Sequence, residues 1–190
     1  GDDVIYGGAG DDWLYGGDAN DIVYGEAGVD HIYGGNHDDR LFGDGASDFL
    51  YGEAGNDLLD AGDAGDFLDG GTGNDIMIGG QGEDHYVIRR NSGADTIYNY
   101  DDDSTRDSVS YETADGIAYS ELWFTKSGKD LRVKLLGTTT QVTIKDWFLN
   151  TTAGDYASDR TFVVDAFISG AWKAAVGGVR LTRNARSGPA

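Results

Sequence analysis

An aspartate returns at every ninth position through the first half of this chain: Asp3, Asp12, Asp21, Asp30, Asp39, Asp48, Asp57, Asp66, Asp75 and Asp84. The register never slips. Carboxylates repeated in this way, with glycine-rich backbone beside them and no nitrogen or sulfur donor in the pattern, make a set of hard oxygen ligands. Such a set suits Ca²⁺, which takes about six to eight oxygens in flexible geometry.

Two further columns accompany the aspartates. Two residues after each Asp stands an apolar side chain: Ile5, Leu14, Val23, Ile32, Leu41, Leu50, Leu59, Leu68, Met77 and Tyr86. A glycine column runs through Gly7, Gly16, Gly25, Gly34, Gly43, Gly52, then Ala61, Gly70 and Gly79. The unit is G-G-x-G-x-D-x-U-x, with U apolar, a nonapeptide known as a calcium-binding β-helix repeat. Glycine at the first, second and fourth positions permits positive φ and lets carbonyls turn inward with no Cβ in the way. The candidate metal ligands are therefore the ten column aspartates with the backbone carbonyls of Gly7, Gly10, Gly16, Gly25, Gly28, Gly34, Gly43, Gly52, Gly55, Gly70 and Gly73.

The repeat dictates the elements that must position these groups. Three residues such as Trp13-Leu14-Tyr15 read as a short strand, whose central apolar side chain points one way and its neighbours the other. Two turns and two strands make an 18-residue coil. Stacked coils give two parallel sheets with the apolar column between them. Each loop then lies over the loop one coil away, with an ion between the two. The expected pairs are Asp12 with Asp30, Asp21 with Asp39, Asp30 with Asp48, Asp39 with Asp57, Asp48 with Asp66, Asp57 with Asp75 and Asp66 with Asp84. One ion for each gives about seven. Asp3 with Asp21 is a further pair whose lower loop is cut short at Gly1. Ala19, His37, Ala46 and Ala64 replace the fourth glycine, so those loops are expected to bind more weakly. Glu26, Asp44 and Glu53 take the second position, where a side chain faces solvent.

Charge follows the same division. Residues 1–87 contain 21 of the 34 acidic residues and only Arg40 as a basic one, whereas residues 88–190 are balanced. Composition thus changes at residue 88, separating a repeat block, 1–87, from a flank, 88–190. The net charge of −20 argues against nucleic acid and anionic membrane as partners. Cysteine is absent, so disulfides and thiolate sites are excluded. No apolar run is long enough to span a bilayer. The chain opens without Met in mid-repeat and reads as a piece of something longer. Stacked carboxylates without basic partners repel one another, so the repeat block is expected to be disordered without calcium and ordered with it.

The flank reads as a cap, since a stacked roll leaves an open apolar end and unpaired strand edges. Leu131, Val133 and Leu135 alternate with Arg132 and Lys134. Val142 and Ile144 alternate with Thr143 and Lys145, and Gly137-Thr138-Thr139 makes a turn between the two strands. Trp123, Phe124, Trp147 and Phe148 are expected to cover the last coil. Residues 101–112 imitate an EF-hand loop through Asp101, Asp103, Thr105, Asp107 and Glu112, but Arg106 stands where the turn needs glycine, and a solvated loop is expected. Outward-facing aromatics predict two ladders, Tyr6-Tyr24-Phe42 and Tyr15-Tyr33-Tyr51, either as supports for parallel strands or as a surface for sugar rings. His31, His37 and His85 share no metal-ligand spacing, and no nucleophile elbow, P-loop or zincin motif is present. The expectation is a non-enzymatic module.

Residues 1–87 resemble the β-roll of RTX (repeats-in-toxin) proteins, found in proteins exported by bacterial type I secretion. "ADTIYNY", "SELWFTKSGKDLRVKLLGTTTQVTIKDWF" and "RTFVVDAF" resemble the segment that follows the last repeat block in RTX adenylate cyclase toxins and haemolysin-type calcium-binding proteins. The resemblance implies an all-β fold, a right-handed parallel β-roll (a β-solenoid) with a β-rich C-terminal cap. It implies calcium-driven folding after export, the type I secretion machinery as a partner, and a secreted or cell-surface location. An adhesin or glycan-binding module, or the accessory tail of a secreted enzyme or toxin, is the alternative reading. Residues 166–190, with Arg180, Arg183 and Arg186, read either as cap or as export signal.

Overall fold

The computed structural model describes residues 1–98, 107–111, 121–145, 162–166 and 179–181, the last two segments by their strand backbone alone. In chain order the strands are β1 (Val4–Ala9), β2 (Trp13–Asp18), β3 (Ile22–Ala27), β4 (His31–Asn36), β5 (Arg40–Gly45), β6 (Phe49–Ala54), β7 (Leu58–Asp63), β8 (Phe67–Asp69) and β9 (Ile76–Gln81). They continue with β10 (His85–Ile88), β11 (Ala94–Tyr98), β12 (Ser108–Tyr111), β13 (Leu122–Ser127), β14 (Asp130–Leu135), β15 (Gln141–Ile144), β16 (Phe162–Ala166) and β17 (Val179–Leu181).

Alternate strands join alternate sheets. One sheet runs β1-β3-β5-β7-β9-β11-β15-β14-β13 and the other β17-β16-β12-β10-β8-β6-β4-β2. Pairing is parallel throughout the repeats, so the chain winds as a β-solenoid. The apolar columns stack in register: Val23 on Leu41, Leu41 on Leu59 and Leu59 on Met77 in one sheet. In the other sheet Ile32 lies on Leu50, Leu50 on Leu68 and Leu68 on Tyr86. All of these side chains are fully buried. No helix among the described residues is long and apolar enough to cross a membrane.

The strands are longer than the sequence pattern suggests. Most span six residues, running past the first glycine of the next repeat into its third position. The register pairs Tyr15 with Tyr33 and Gly17 with Gly35 but skips Gly16 and Gly34, so the strand bends at that glycine without ending. Positive φ falls at the second and fourth positions, as at Gly17 (102°) and Gly10 (116°). The first glycine is there for space. A methyl group on Gly16 would lie 2.5 Å from the Gly34 carbonyl oxygen and 2.7 Å from Asp21 Oδ2.

Loops lacking the fourth glycine keep the same shape. Ala19, His37, Ala46 and Ala64 take φ of 98°, 81°, 82° and 82°. Glu26, Asp44 and Glu53 likewise take positive φ at the second position, with exposed side chains. Each non-glycine residue there carries a cost of roughly 1–2 kcal/mol. The departures from consensus therefore appear as strain and not as altered loops.

Both sheets run on past residue 87. β11 lies parallel on β9, and β12 on β10. β15 then pairs with β11, and β14 and β13 follow antiparallel. Leu131, Val133, Leu135, Val142 and Ile144 are buried in the same apolar cluster as the repeats, as the alternation predicts. The Gly137 turn is present, with φ of 78° and Thr138 Oγ1 donating to the Leu135 carbonyl at 2.9 Å. Phe124 packs on the cluster, but Trp123 is 58% exposed and covers none of it. Its place on β13 explains this: Trp123 pairs with exposed Lys134, so it shares that residue's outward face. Trp147, Phe148 and most of the EF-hand-like loop lie outside the described residues.

Candidate metal centre

The stacked coils bring the column aspartates together in pairs. The backbone N–H of Asp12 donates to Oδ1 of Asp30 at 2.8 Å, and that of Asp21 to Asp39 at 2.7 Å. The same bond joins Asp30 to Asp48, Asp39 to Asp57 and Asp48 to Asp66, each at 2.8 Å. It joins Asp57 to Asp75 and Asp66 to Asp84 at 3.0 Å. All seven expected neighbours are therefore adjacent. Asp3 donates its N–H to Asp21 Oδ1 at 2.7 Å, but its own side chain is exposed.

From Asp21 to Asp75 one oxygen of each column carboxylate is thus used by the chain, and the other is left over. The Oδ2 atoms of Asp12, Asp21, Asp30, Asp39, Asp48, Asp57, Asp66 and Asp75 are buried without a hydrogen-bond partner. Buried polar oxygens are almost always paired, because leaving one unpaired costs about 1–3 kcal/mol or more for a charged group. A regular column of such atoms is an oxygen donor set that fits a hard cation.

Backbone carbonyls complete the surroundings. The carbonyls of Gly25, Gly34, Gly43, Gly52 and Gly70 come beside Oδ2 of Asp12, Asp21, Asp30, Asp39 and Asp57, meeting at the Cα of the first-position glycine one coil earlier. At Gly52 a methyl group would be 2.5 Å from both Asp57 Oδ2 and the Gly70 carbonyl. Gly7 and Gly16 border Asp12 Oδ2 and Asp21 Oδ2 through their Cα atoms. The carbonyl of Ala61 takes the corresponding place beside Asp48, a position the glycine column did not reveal. The fourth-position carbonyls of Gly10, Gly55 and Gly73 lie against Gly28, Gly73 and Gly93 in the next coil. Among the described residues no three His, Asp or Glu side chains gather into a metal-holding group. Any ion here depends on main-chain oxygens, and an all-oxygen set fits Ca²⁺.

Electrostatics agrees with that donor set. Burial pushes the carboxyls of Asp48, Asp57 and Asp75 up to about 7 and that of Asp66 to about 8; donated N–H groups oppose the shift and neighbouring aspartates add to it. Burial thus disfavours the ionised form of these four carboxyls in the wound chain.

Other groups find structural partners. On one edge the residues before alternate column aspartates form their own ladder: the Asn56 N–H donates to Asp38 Oδ1 at 2.7 Å and the Asn74 N–H to Asn56 Oδ1 at 3.0 Å. Asp38, next to the column residue Asp39, thus serves the pairing of coils. The predicted aromatic ladders are present, with Tyr15–Tyr33 and Tyr33–Tyr51 centroids 4.9 and 4.8 Å apart, and Tyr6–Tyr24 and Tyr24–Phe42 at 5.1 and 4.9 Å. A third ladder was not legible: Trp13–His31 at 4.1 Å and His31–Phe49 at 4.5 Å. His85 bonds Ser108 and Ser110, and His37 is exposed, so the three histidines stand apart.

The flank continues the carboxylate ladder, which sequence periodicity missed. The Asp75 N–H donates to Asp95 Oδ1 at 3.2 Å, and the Asp84 N–H to Asp107 Oδ1 at 3.0 Å. Both new aspartates are buried. The spacing lengthens from 18 to 20 and 23 residues, which hides them. The remaining signal was Asp-x-U, in Asp95-Thr96-Ile97 and Asp107-Ser108-Val109.

Comparison with known proteins agrees with this geometry. The family described as RTX calcium-binding nonapeptide repeat (4 copies) matches residues 1–32, 33–68 and 51–86. The iron-regulated protein FrpA of Neisseria meningitidis serogroup C is 43% identical over 74 residues, which are 39% of this chain and 6% of that protein. The chain therefore spans a small part of the length of this curated relative. The extracellular lipase LipA from Serratia marcescens superposes with a TM-score of 0.35 at 17% identity, over 72% of this chain and 36% of the lipase. The AlgE6R3 subunit of the Azotobacter vinelandii mannuronan C5-epimerase does so at 0.32 and 21%, over 95% of this chain and 90% of the subunit. With its unbroken ninefold period, its solenoid fold and its columns of buried carboxylate oxygens, the segment 1–86 belongs to the RTX calcium-binding nonapeptide repeat family.

Proposed function

We propose that this chain is a calcium-dependent folding module of a secreted bacterial protein, and that the column aspartates with the first-position carbonyls hold about seven ions, one for each loop pair within the repeats. The observation that carries the reading is the row of buried Oδ2 atoms with no hydrogen-bond partner. Calcium, when bound, supplies the positive charge and oxygen coordination that stacked acidic loops lack. Without it the ionised aspartates repel along each column, and the chain stays extended. In the wound state Asp Oδ1 atoms fix the register through the N–H of the preceding coil, while Oδ2 atoms and carbonyls face the gap.

Dissociation constants of about 10⁻⁴–10⁻³ M, usual for extracellular modules, would leave the loops open in the cytosol and filled outside. An unfolded chain then passes the type I export channel and winds on arrival. The flank, 88–190, serves as the cap of the repeat block, 1–87, by extending both sheets and burying its own apolar residues on the last coil. Circular dichroism during a calcium titration tests this: folding should be cooperative, with a Hill coefficient well above one, because neighbouring loops share ligands. Deleting 88–190 should abolish the transition. A gradual, non-cooperative change, or repeats that fold as well without the flank, would contradict it.

A second reading is favoured by the exposed aromatic rows. Trp13 and Tyr15 are each 60% exposed and lead two neighbouring ladders on one sheet. Such a surface suits sugar rings, with calcium holding the rows in place. A glycan array with Tyr15, Tyr33 and Tyr51 changed to Ser distinguishes this from a purely structural role.

A further inference from the structure

We propose that an additional calcium site lies between loop 70–75 and a loop outside the matched repeats, residues 90–95, with Asp75 and Asp95 among its ligands; the inference rests on the calcium-binding reading above. The sequence Arg90-Asn91-Ser92-Gly93-Ala94-Asp95-Thr96-Ile97-Tyr98 does not look like a repeat. Its backbone nevertheless follows one. Thr96, Ile97 and Tyr98 pair in register with Ile76, Met77 and Ile78. Asn91 and Gly93 take φ of 63° and 113°, matching the second and fourth positions at Gly71 (90°) and Gly73 (142°).

The hydrogen bonds between coils are also those of the repeats. The Gly73 N–H donates to the Ser92 carbonyl at 2.6 Å, as the Gly55 N–H does to Thr72 at 3.0 Å. The Ala94 N–H donates to Asn74 Oδ1 at 2.9 Å, continuing the edge ladder. The Asp75 N–H donates to Asp95 Oδ1 at 3.2 Å, and the Thr96 N–H to the Asp75 carbonyl at 2.8 Å. Ile97 occupies the apolar column and is fully buried. Residues 90–98 are thus a further half-coil, concealed by two inserted residues and by Arg90 in the place of the first glycine.

That half-coil roofs a carboxylate that needs a cation. Asp75 is 1% exposed, and its Oδ2 has no hydrogen-bond partner. It faces the Cα of Gly70, as Asp57 Oδ2 faces that of Gly52. Asp95 is 2% exposed, and its hydrogen bonds are to neutral groups: the Asp75 N–H on Oδ1 and the Ser92 hydroxyl on Oδ2 at 3.0 Å. Two stacked buried carboxylates to which, among the described residues, only neutral groups donate call for a positive charge between them. Any residue type offers a main-chain carbonyl at the first position, so the change from glycine to Arg90 removes no main-chain oxygen. Arg90 directs its guanidinium to Glu121, 3.0 Å away. The column ends here, because Val142 lies over Asp95 in the next strand.

The rival role for Asp95 is that of a hydrogen-bonding rung alone. Asp95→Asn keeps an oxygen acceptor for the Asp75 N–H while removing the charge. Calcium counted by equilibrium dialysis on the full chain should fall by one ion relative to wild type, with far-UV circular dichroism in calcium unchanged. An equal ion count in a folded Asp95→Asn protein overturns the inference and leaves the sites within the repeats standing. No calcium uptake by wild type overturns both readings. If Asp95→Asn does not fold, wild-type crystals grown in calcium decide: an ion between Asp75 and Asp95 bears the inference out, and water or an empty gap there overturns it.

Discussion

The backbone N–H of Asp57 donates to Oδ1 of Asp75 at 3.0 Å, which leaves Asp75 Oδ2 buried without a partner. The same relation, repeated from Asp21 to Asp75, makes each aspartate a register pin with one oxygen and leaves the other for the proposed ion. On the proposed reading, structure and metal binding are carried by the same side chain.

Asp57→Ala removes both roles. The Asp39 N–H loses its acceptor, and the pocket shared with the Gly70 carbonyl loses the Asp57 carboxylate oxygen. The expected result is at least one ion fewer by equilibrium dialysis and a calcium midpoint shifted upward several-fold. Asp57→Asn, which retains the acceptor oxygen, should lose the ion with less damage to the fold.

The strained loops offer a test in the opposite direction. Ala46 and Ala64 sit at φ of 82°. Replacing either by glycine relieves the left-handed strain, partly offset by the greater freedom of glycine in the unfolded chain. A net gain of up to about 1 kcal/mol is expected in denaturant melts with saturating calcium. A loss would mean that the loops are not strained.

Acid should act with opposite signs in the two states. Without metal the carboxyls of Asp48, Asp57, Asp66 and Asp75 are raised in the wound form above their unfolded values. Their contribution favours the fold fully below the unfolded range near about 4 and is lost as pH rises through about 7 to 8. In EDTA the chain should therefore gain structure on acidification from pH 8 to pH 4. In calcium the same protons compete with the ion, so the calcium midpoint should rise as pH falls below about 7. Circular dichroism at several pH values, with and without metal, reads both trends.

Core packing gives a control independent of metal ligation. Leu50 is fully buried between Ile32 and Leu68. Leu50→Ala should cost about 2–5 kcal/mol in saturating calcium while leaving the ion count of the folded protein unchanged. An altered count would show that the apolar column helps to shape the sites.

Much of this was legible because the period is strict. Ten aspartates in one register define which loops stack, and the apolar column two residues on defines the core. At the first glycine only half of the expectation holds, the need for space and not positive φ, because a repeat pattern shows that Cβ is unwelcome without showing which is the reason. Gly16 is excluded from bearing a side chain by Gly34 and Asp21, which are neighbours only after winding. The Trp13-His31-Phe49 ladder was hidden because its members differ in type, though they share a strand position. Asp95 escaped because two extra residues break the count, and hydrogen bonds are indifferent to how much chain lies between their ends.

The most direct test is where the ions lie. Crystals grown in calcium, with anomalous scattering used to locate the metal, should show a peak beside Oδ2 of each repeat aspartate from Asp12 to Asp66, next to the first-position carbonyl of the following coil. Gaps that hold only water at those carboxylates, in a chain that has nonetheless wound into its two sheets, would contradict the account.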